Sequence, residues 1–153
     1  MKIALIGAVA LAGAIAAPPL AGPAQAAPLC TELGFAGLLA RCNREKLPEI
    51  TLSSGKPLAE GPLNLSSGVY YQIDIVADGT QELALVGPEF FRAIWMNEIV
   101  INDIEIRPMA IDSMEFDAAG KASLSFIAIK PGRYELRIPG STGDTQRVEI
   151  SIQ

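Results

Sequence analysis

Between Gly120 and Ile152 the chain alternates apolar and polar residues in three successive runs, separated by Pro131-Gly132 and Pro139-Gly140. A period of two sends every second side chain to the same face, so each run folds as a strand with one buried face. In KASLSFIAI, Leu124, Phe126 and Ala128 oppose Ser123 and Ser125. In GRYELRI, Tyr134, Leu136 and Ile138 oppose Arg133, Glu135 and Arg137. In QRVEISI, Val148, Ile150 and Ile152 form the apolar face. Upstream, VYYQIDIVADG lines up Val69, Tyr71, Ile73 and Ile75, and QELALVG alternates Leu83 with Leu85. Turn pairs fall between the runs at short intervals: Ser54-Gly55, Ser67-Gly68, Asp78-Gly79 and Ala119-Gly120. Short alternating strands punctuated this way predict an all-β sandwich.

One stretch departs from the period of two. PEFFRAIWM spaces Phe90, Phe91, Ile94 and Trp95 as a helical stripe, and Pro88 with Glu89 suits a first helical turn. The spacing predicts one or two turns of helix capping an open end of the sandwich.

The first residues have a different character. Lys2 precedes an apolar run from Ile3 to Ala17, and Ala24-Gln25-Ala26 supplies an A-x-A end. These are the three parts of an export leader, and about 15 apolar residues fall short of the roughly 20 that a membrane span needs. Cleavage after Ala26 leaves 127 residues with 11 basic and 17 acidic side chains. That length suits one core, and the acidic balance argues against nucleic acid or an anionic membrane surface as partner. The expected location is the periplasm or outside the cell. After removal of the leader, the sequence offers no transmembrane segment.

In that oxidising setting Cys30 and Cys42 are expected to form a disulfide, since eleven intervening residues do not make a redox C-x-x-C motif. Closing a loop of this size contributes about 3 kcal/mol. Within it, Leu33, Phe35, Leu38 and Leu39 have a spacing compatible with a short amphipathic helix, and Asn43 to Lys46 reads as a polar hinge. Residues 27–47 are taken as an N-terminal segment carrying the cysteine pair, and 48–153 as the main domain.

The chain contains no histidine. Ser-His-Asp and Cys-His catalysis, and His-based zinc, copper and iron sites, therefore have no imidazole to work with. No phosphate-cradling or nucleophile-elbow motif is present. Carboxylates at Glu98, Asp103, Glu105, Asp112 and Glu115 are more simply a solvated face, and the chain is expected not to be an enzyme.

The runs NLSSGVYYQIDIVADG, FFRAIWMNEIVINDIEIRP and EFDAAGKASLSFIAIKPGRYELRIPG resemble the cupredoxin superfamily over residues 48–153. The phrase from Phe126 to Tyr134, with Pro131-Gly132 inside it, resembles the one that leads into the family's metal-bearing loop. The resemblance implies a Greek-key β-sandwich with one short helix, preceded here by a disulfide-closed segment. It also implies copper ligands, and these do not carry over. The Cys expected near Leu136 to Ile138 is missing, Ser141 follows Pro139-Gly140 where a His is common, Arg107 and Pro108 stand where the upstream His is expected, and no Met lies beyond Met114.

Two other groups are candidates. Met109, Asp112, Met114 and Glu115, with Asp117 beyond them, offer thioether and carboxylate donors suited to Cu(I) or to a harder cation; the plain alternative is that Met114 fills the core. Phe90, Phe91, Arg92 and Trp95 form either an aromatic docking patch or a plug for the sandwich. The expectation is an exported, non-enzymatic module without a resident cofactor that binds another periplasmic protein. The alternative is copper or iron delivery through Met and carboxylate ligands.

Overall fold

The computed structural model describes residues 30–153, so the expected leader lies outside the described part. Eleven strands follow in order: β1 (Arg44–Lys46), β2 (Ile50–Leu52), β3 (Leu63–Leu65), β4 (Tyr70–Ala77), β5 (Leu83–Val86), β6 (Ile94–Ile101), β7 (Ile104–Ile106), β8 (Ser113–Phe116), β9 (Gly120–Ala128), β10 (Gly132–Arg137) and β11 (Arg147–Ile152). The one α-helix among the described residues, α1, spans Pro88–Phe91 between β5 and β6.

The strands form two sheets. One has the order β1-β4-β9-β6-β7, with β2 also paired to β4; the other has the order β3-β11-β10-β5-β8. Among the described strands, only β6–β7 and β10–β11 are neighbours both in sequence and in a sheet; β1 and β2 both line β4, and every other step crosses between sheets. That is Greek-key connectivity. The alternating runs behave as their period requires. Ile73, Ile75, Leu124, Phe126, Leu136, Val148 and Ile150 are all buried between the sheets. Phe126 lies at the centre, with its ring centroid 5.9 Å from Tyr71 and edge-on to Phe90 at 5.6 Å. Tyr71 brings a hydroxyl into this core, and its oxygen accepts the Ser66 N–H at 2.7 Å.

Three local expectations are corrected. The helix after Pro88 ends at Phe91, and Ile94 and Trp95 begin strand β6 instead of continuing the stripe. The Ala93 carbonyl accepts the N–H groups of both Ile129 and Lys130, which turns the chain into the sheet at that point. The Asn43–Lys46 hinge is structured: Arg44–Lys46 is strand β1, parallel to β4, and Asn43 is buried, donating to the carbonyls of Leu38 and Gly68 at 2.9 Å each. The Cys30–Cys42 disulfide forms as expected. Its loop, however, is a kinked 3₁₀ segment over Thr31–Gly37, broken by Gly34 at φ 53°. Leu33, Phe35 and Leu39 therefore face solvent instead of burying one amphipathic face.

Candidate functional site

Strand β10 carries the chain from Pro131-Gly132 to the end of the sandwich where the resemblance calls for a metal-bearing loop. Leu136 stands with its side chain in the core, and Arg137 and Ile138 are half-buried beyond it. The loop closes on itself. Ser141 N–H donates to the Ile138 carbonyl at 3.2 Å, and its hydroxyl donates to the same carbonyl at 2.6 Å. With Pro139 second and Gly140 third at φ 70°, this is a type II turn. Arg137 donates to the Ser141 carbonyl and pairs with Glu135 at 3.2 Å. The groups converging on this loop are thus a guanidinium, a hydroxyl and backbone carbonyls, and both of the chain's cysteines are tied up in the disulfide.

Arg107, at the position of the expected upstream ligand, is a clamp. It pairs with Glu98 and Glu105 at 3.0 Å each and donates to the Asn97 side-chain oxygen at 3.2 Å. It ties β7 to the outer face of β6.

Met109, Asp112, Met114 and Glu115 are not brought to one point. Met109 is fully exposed on the loop after β7. Met114 sits opposite the buried Leu85 in the β5–β8 ladder and packs against the core. Glu115, next along an extended strand, points to the outer face. There it meets two carboxylates that sequence reasoning did not group with it, or grouped only in part. One oxygen each of Glu82, Glu115 and Asp117 lies within 4.8 Å of the others, all exposed. Glu82, by hydrogen bonding and by its charge, pushes the Glu115 carboxyl above its ordinary value. Asp112 stays exposed, with its backbone carbonyl accepting the Gly87 N–H.

The aromatic group divides. Phe90 and Phe91 are buried, with Phe90 against Phe126 and Tyr134. Trp95 stays 46% exposed on the outer face of the first sheet, in one row with Ile127 and Tyr70. Arg44 continues that row, its guanidinium 4.8 Å from the Tyr70 ring centroid. Exposed Arg92, Ile129 and Lys130 gather at the same end through the Ala93 carbonyl. Of the apolar side chains here Tyr70 and Ile127 are buried, so the exposed ones are Trp95 and Ile129, at the end of the sheet that also carries the exposed cations Arg92 and Lys130.

The same outer face holds a group that the sequence did not single out. Asp74 is buried, its side chain 6% exposed, and it accepts from the Ser123 hydroxyl at 2.6 Å while pairing with Lys46 at 3.0 Å and Lys121 at 2.9 Å. Burial pushes its carboxyl up, but the hydrogen bonds from Ser123, Lys121 and Lys46 outweigh it and hold the pKa at about 2. The Asp78 carboxyl, bonded by the Ser53 and Thr80 hydroxyls and the Thr80 N–H, lies well below the ordinary range.

No family model matches the sequence, and no curated protein matches it. Solved structures do match in shape. The multi-copper oxidase from Pseudomonas thermotolerans aligns with a TM-score of 0.51 at 14% identity, covering 72% of this chain and 30% of its own. The copper nitrite reductase from Nitrosomonas europaea aligns at 0.48 and 17% identity, covering 62% of this chain and 33% of its own. Auracyanin B aligns at 0.47 and 14% identity, covering 72% and 88%. The chain therefore spans about a third of the length of the first two. At these identities the likeness shows the fold alone, a cupredoxin-like β-sandwich.

Proposed function

We propose that this chain is an exported cupredoxin-like module that has no type 1 copper site, is not an enzyme, and acts by binding another protein. The observation that carries the reading is the donor set. The chain has no imidazole, and its two thiols are joined at the N-terminal segment, while the loop after β10 is closed by its own Pro-Gly turn. A type 1 centre takes a thiolate and two imidazoles, so the scaffold's remaining use is its surface. The half-exposed Trp95, with the exposed Ile129, Arg92 and Lys130 at the same end of the first sheet, is the surface best suited to a partner. Trp and Arg are the residue types that dominate binding energy when a contact covers them. The partner this face fits is an apolar patch with an acidic border.

The test is native purification of the exported protein with and without Trp95→Ala. The substitution is expected to lower recovery of the bound partner at least about tenfold, as for a buried interface aromatic, with the thermal midpoint nearly unchanged. Undiminished recovery would overturn the assignment to this face. The alternative, copper or iron delivery through thioether and carboxylate donors, would appear instead as a metal that co-purifies in stoichiometric amount.

A further inference from the structure

Strand β7 ends the first sheet, and it ends it in an unusual way. Its hairpin with β6 turns on two residues, Asn102 at φ 48° and Asp103 at φ 64°, between the paired Ile101 and Ile104. Positive φ at both positions is a type I′ turn, whose closing pair exchanges both backbone hydrogen bonds. The next pair, Val100 and Glu105, then exchanges none, so the Glu105 N–H and C=O point away from β6. By the same alternation the Arg107 peptide groups point outward as well. Among the described residues no strand covers that side.

The side chains on this edge match the backbone. Ile104 and Ile106 lie opposite Ile101 and Ile99, on the core side of the sheet, yet they are 63% and 43% exposed. Glu105 and Arg107 occupy the outer side. Charged residues and short length keep an edge strand from pairing with strangers. An order of acid, Ile, base permits one exception. If two copies pair antiparallel about a two-fold axis through Ile106, Glu105 falls opposite the partner subunit's Arg107, and Arg107 opposite the partner subunit's Glu105. Those are also the residues with outward peptide groups. Ile106 then meets its own copy at the centre of the joined sheet.

We propose that β7 is a self-recognition edge through which two copies of this chain join their first sheets into one continuous sheet. Three residues of ladder make a small contact, so the dimer is concentration-dependent and exchanging. The partner face around Trp95 is separate, and the first sheet carries both.

The experiment is sedimentation equilibrium on the exported chain, on Glu105→Arg, on Arg107→Glu, and on an equimolar mixture of the two variants. Each variant alone sets like charges opposite one another at both symmetric positions. Each is expected to raise the dimer dissociation constant at least about tenfold through cross-strand charge pairing, and each also breaks the Arg107–Glu105 pair within its own chain, which the mixture does not restore. In the mixed dimer both pairs become opposite again, and association is expected to return to about the wild-type value. Wild type that stays monomeric at every concentration, a dimer that both variants leave unchanged, or a mixture that fails to recover would each overturn the proposal. None of these results bears on the copper-free reading, which stands or falls on metal binding.

Discussion

Replacing Asp74 by Asn removes one charge and leaves the shape of β4 in place, so it isolates what that carboxylate contributes. In the folded chain its pKa is held at about 2, against 3.8 as the ordinary value. A difference of this size corresponds to about 2–3 kcal/mol of folding stability. The contacts give a similar figure. A hydrogen bond from Ser123 to a buried carboxylate is worth about 1.5 kcal/mol, and two lysine pairs with solvated ammonium groups add about 0.5 kcal/mol each. On a domain of this size such a loss lowers the thermal midpoint by about 10 °C. The sign of the pH dependence follows from the depressed pKa. The contribution is complete above the unfolded value near 4 and is lost as pH falls through about 2. Urea unfolding followed by the fluorescence of Trp95, the single tryptophan, gives both numbers. Wild type is expected to exceed Asp74→Asn by about 2–3 kcal/mol at pH 7 and to converge with it at about pH 2. Equal stability at pH 7, or a gap that persists undiminished in acid, would refute this account of the Lys46–Asp74–Lys121 bridge.

Two further perturbations test the frame. Reducing the Cys30–Cys42 disulfide is expected to cost about 3 kcal/mol, read as a shift in the urea midpoint; non-reducing peptide mapping that finds two free thiols would contradict the link itself. Gly87→Ala places a Cβ against the Leu136 side chain and 2.8 Å from the Glu135 carbonyl oxygen. Forcing these apart is expected to cost about 1–3 kcal/mol, and a thermal midpoint equal to wild type would show that β5 and β10 have room to separate.

Much of this architecture was legible because the period of two runs through most of β4 and β9 and all of β10 and β11. Strand β6 was not, and its bulge explains why. Ile94 and Met96 face the core, but the register with β9 shifts between Met96 and Glu98, so the next core residues are Ile99 and Ile101. The parity change hides the alternation and leaves Phe90, Phe91, Ile94 and Trp95 looking like one helical stripe. Asp74 was hidden differently. It occupies a position that alternation assigns to solvent, and it is buried because Lys46 covers it from a segment that reads as a hinge. In the candidate metal group, neighbouring residues in an extended strand face opposite ways, which separates Met114 from Glu115. Glu82, thirty-three positions before Glu115 in sequence, joins it only through the β5–β8 ladder. The Pro139-Gly140 turn, by contrast, is legible from its residue types alone, and the structure closes it as a type II turn.

The central claim is that a cupredoxin-like sandwich is used here without its copper. Its most direct test is elemental analysis of the protein purified from copper-replete cells, followed by titration with Cu(I) and Cu(II). The account predicts far less than one metal ion per chain, no intense visible band on addition of Cu(II), and no saturable binding of either ion. A stoichiometric metal that survives dialysis and is lost on Met109→Leu or Glu115→Gln would contradict it and establish a delivery protein in its place.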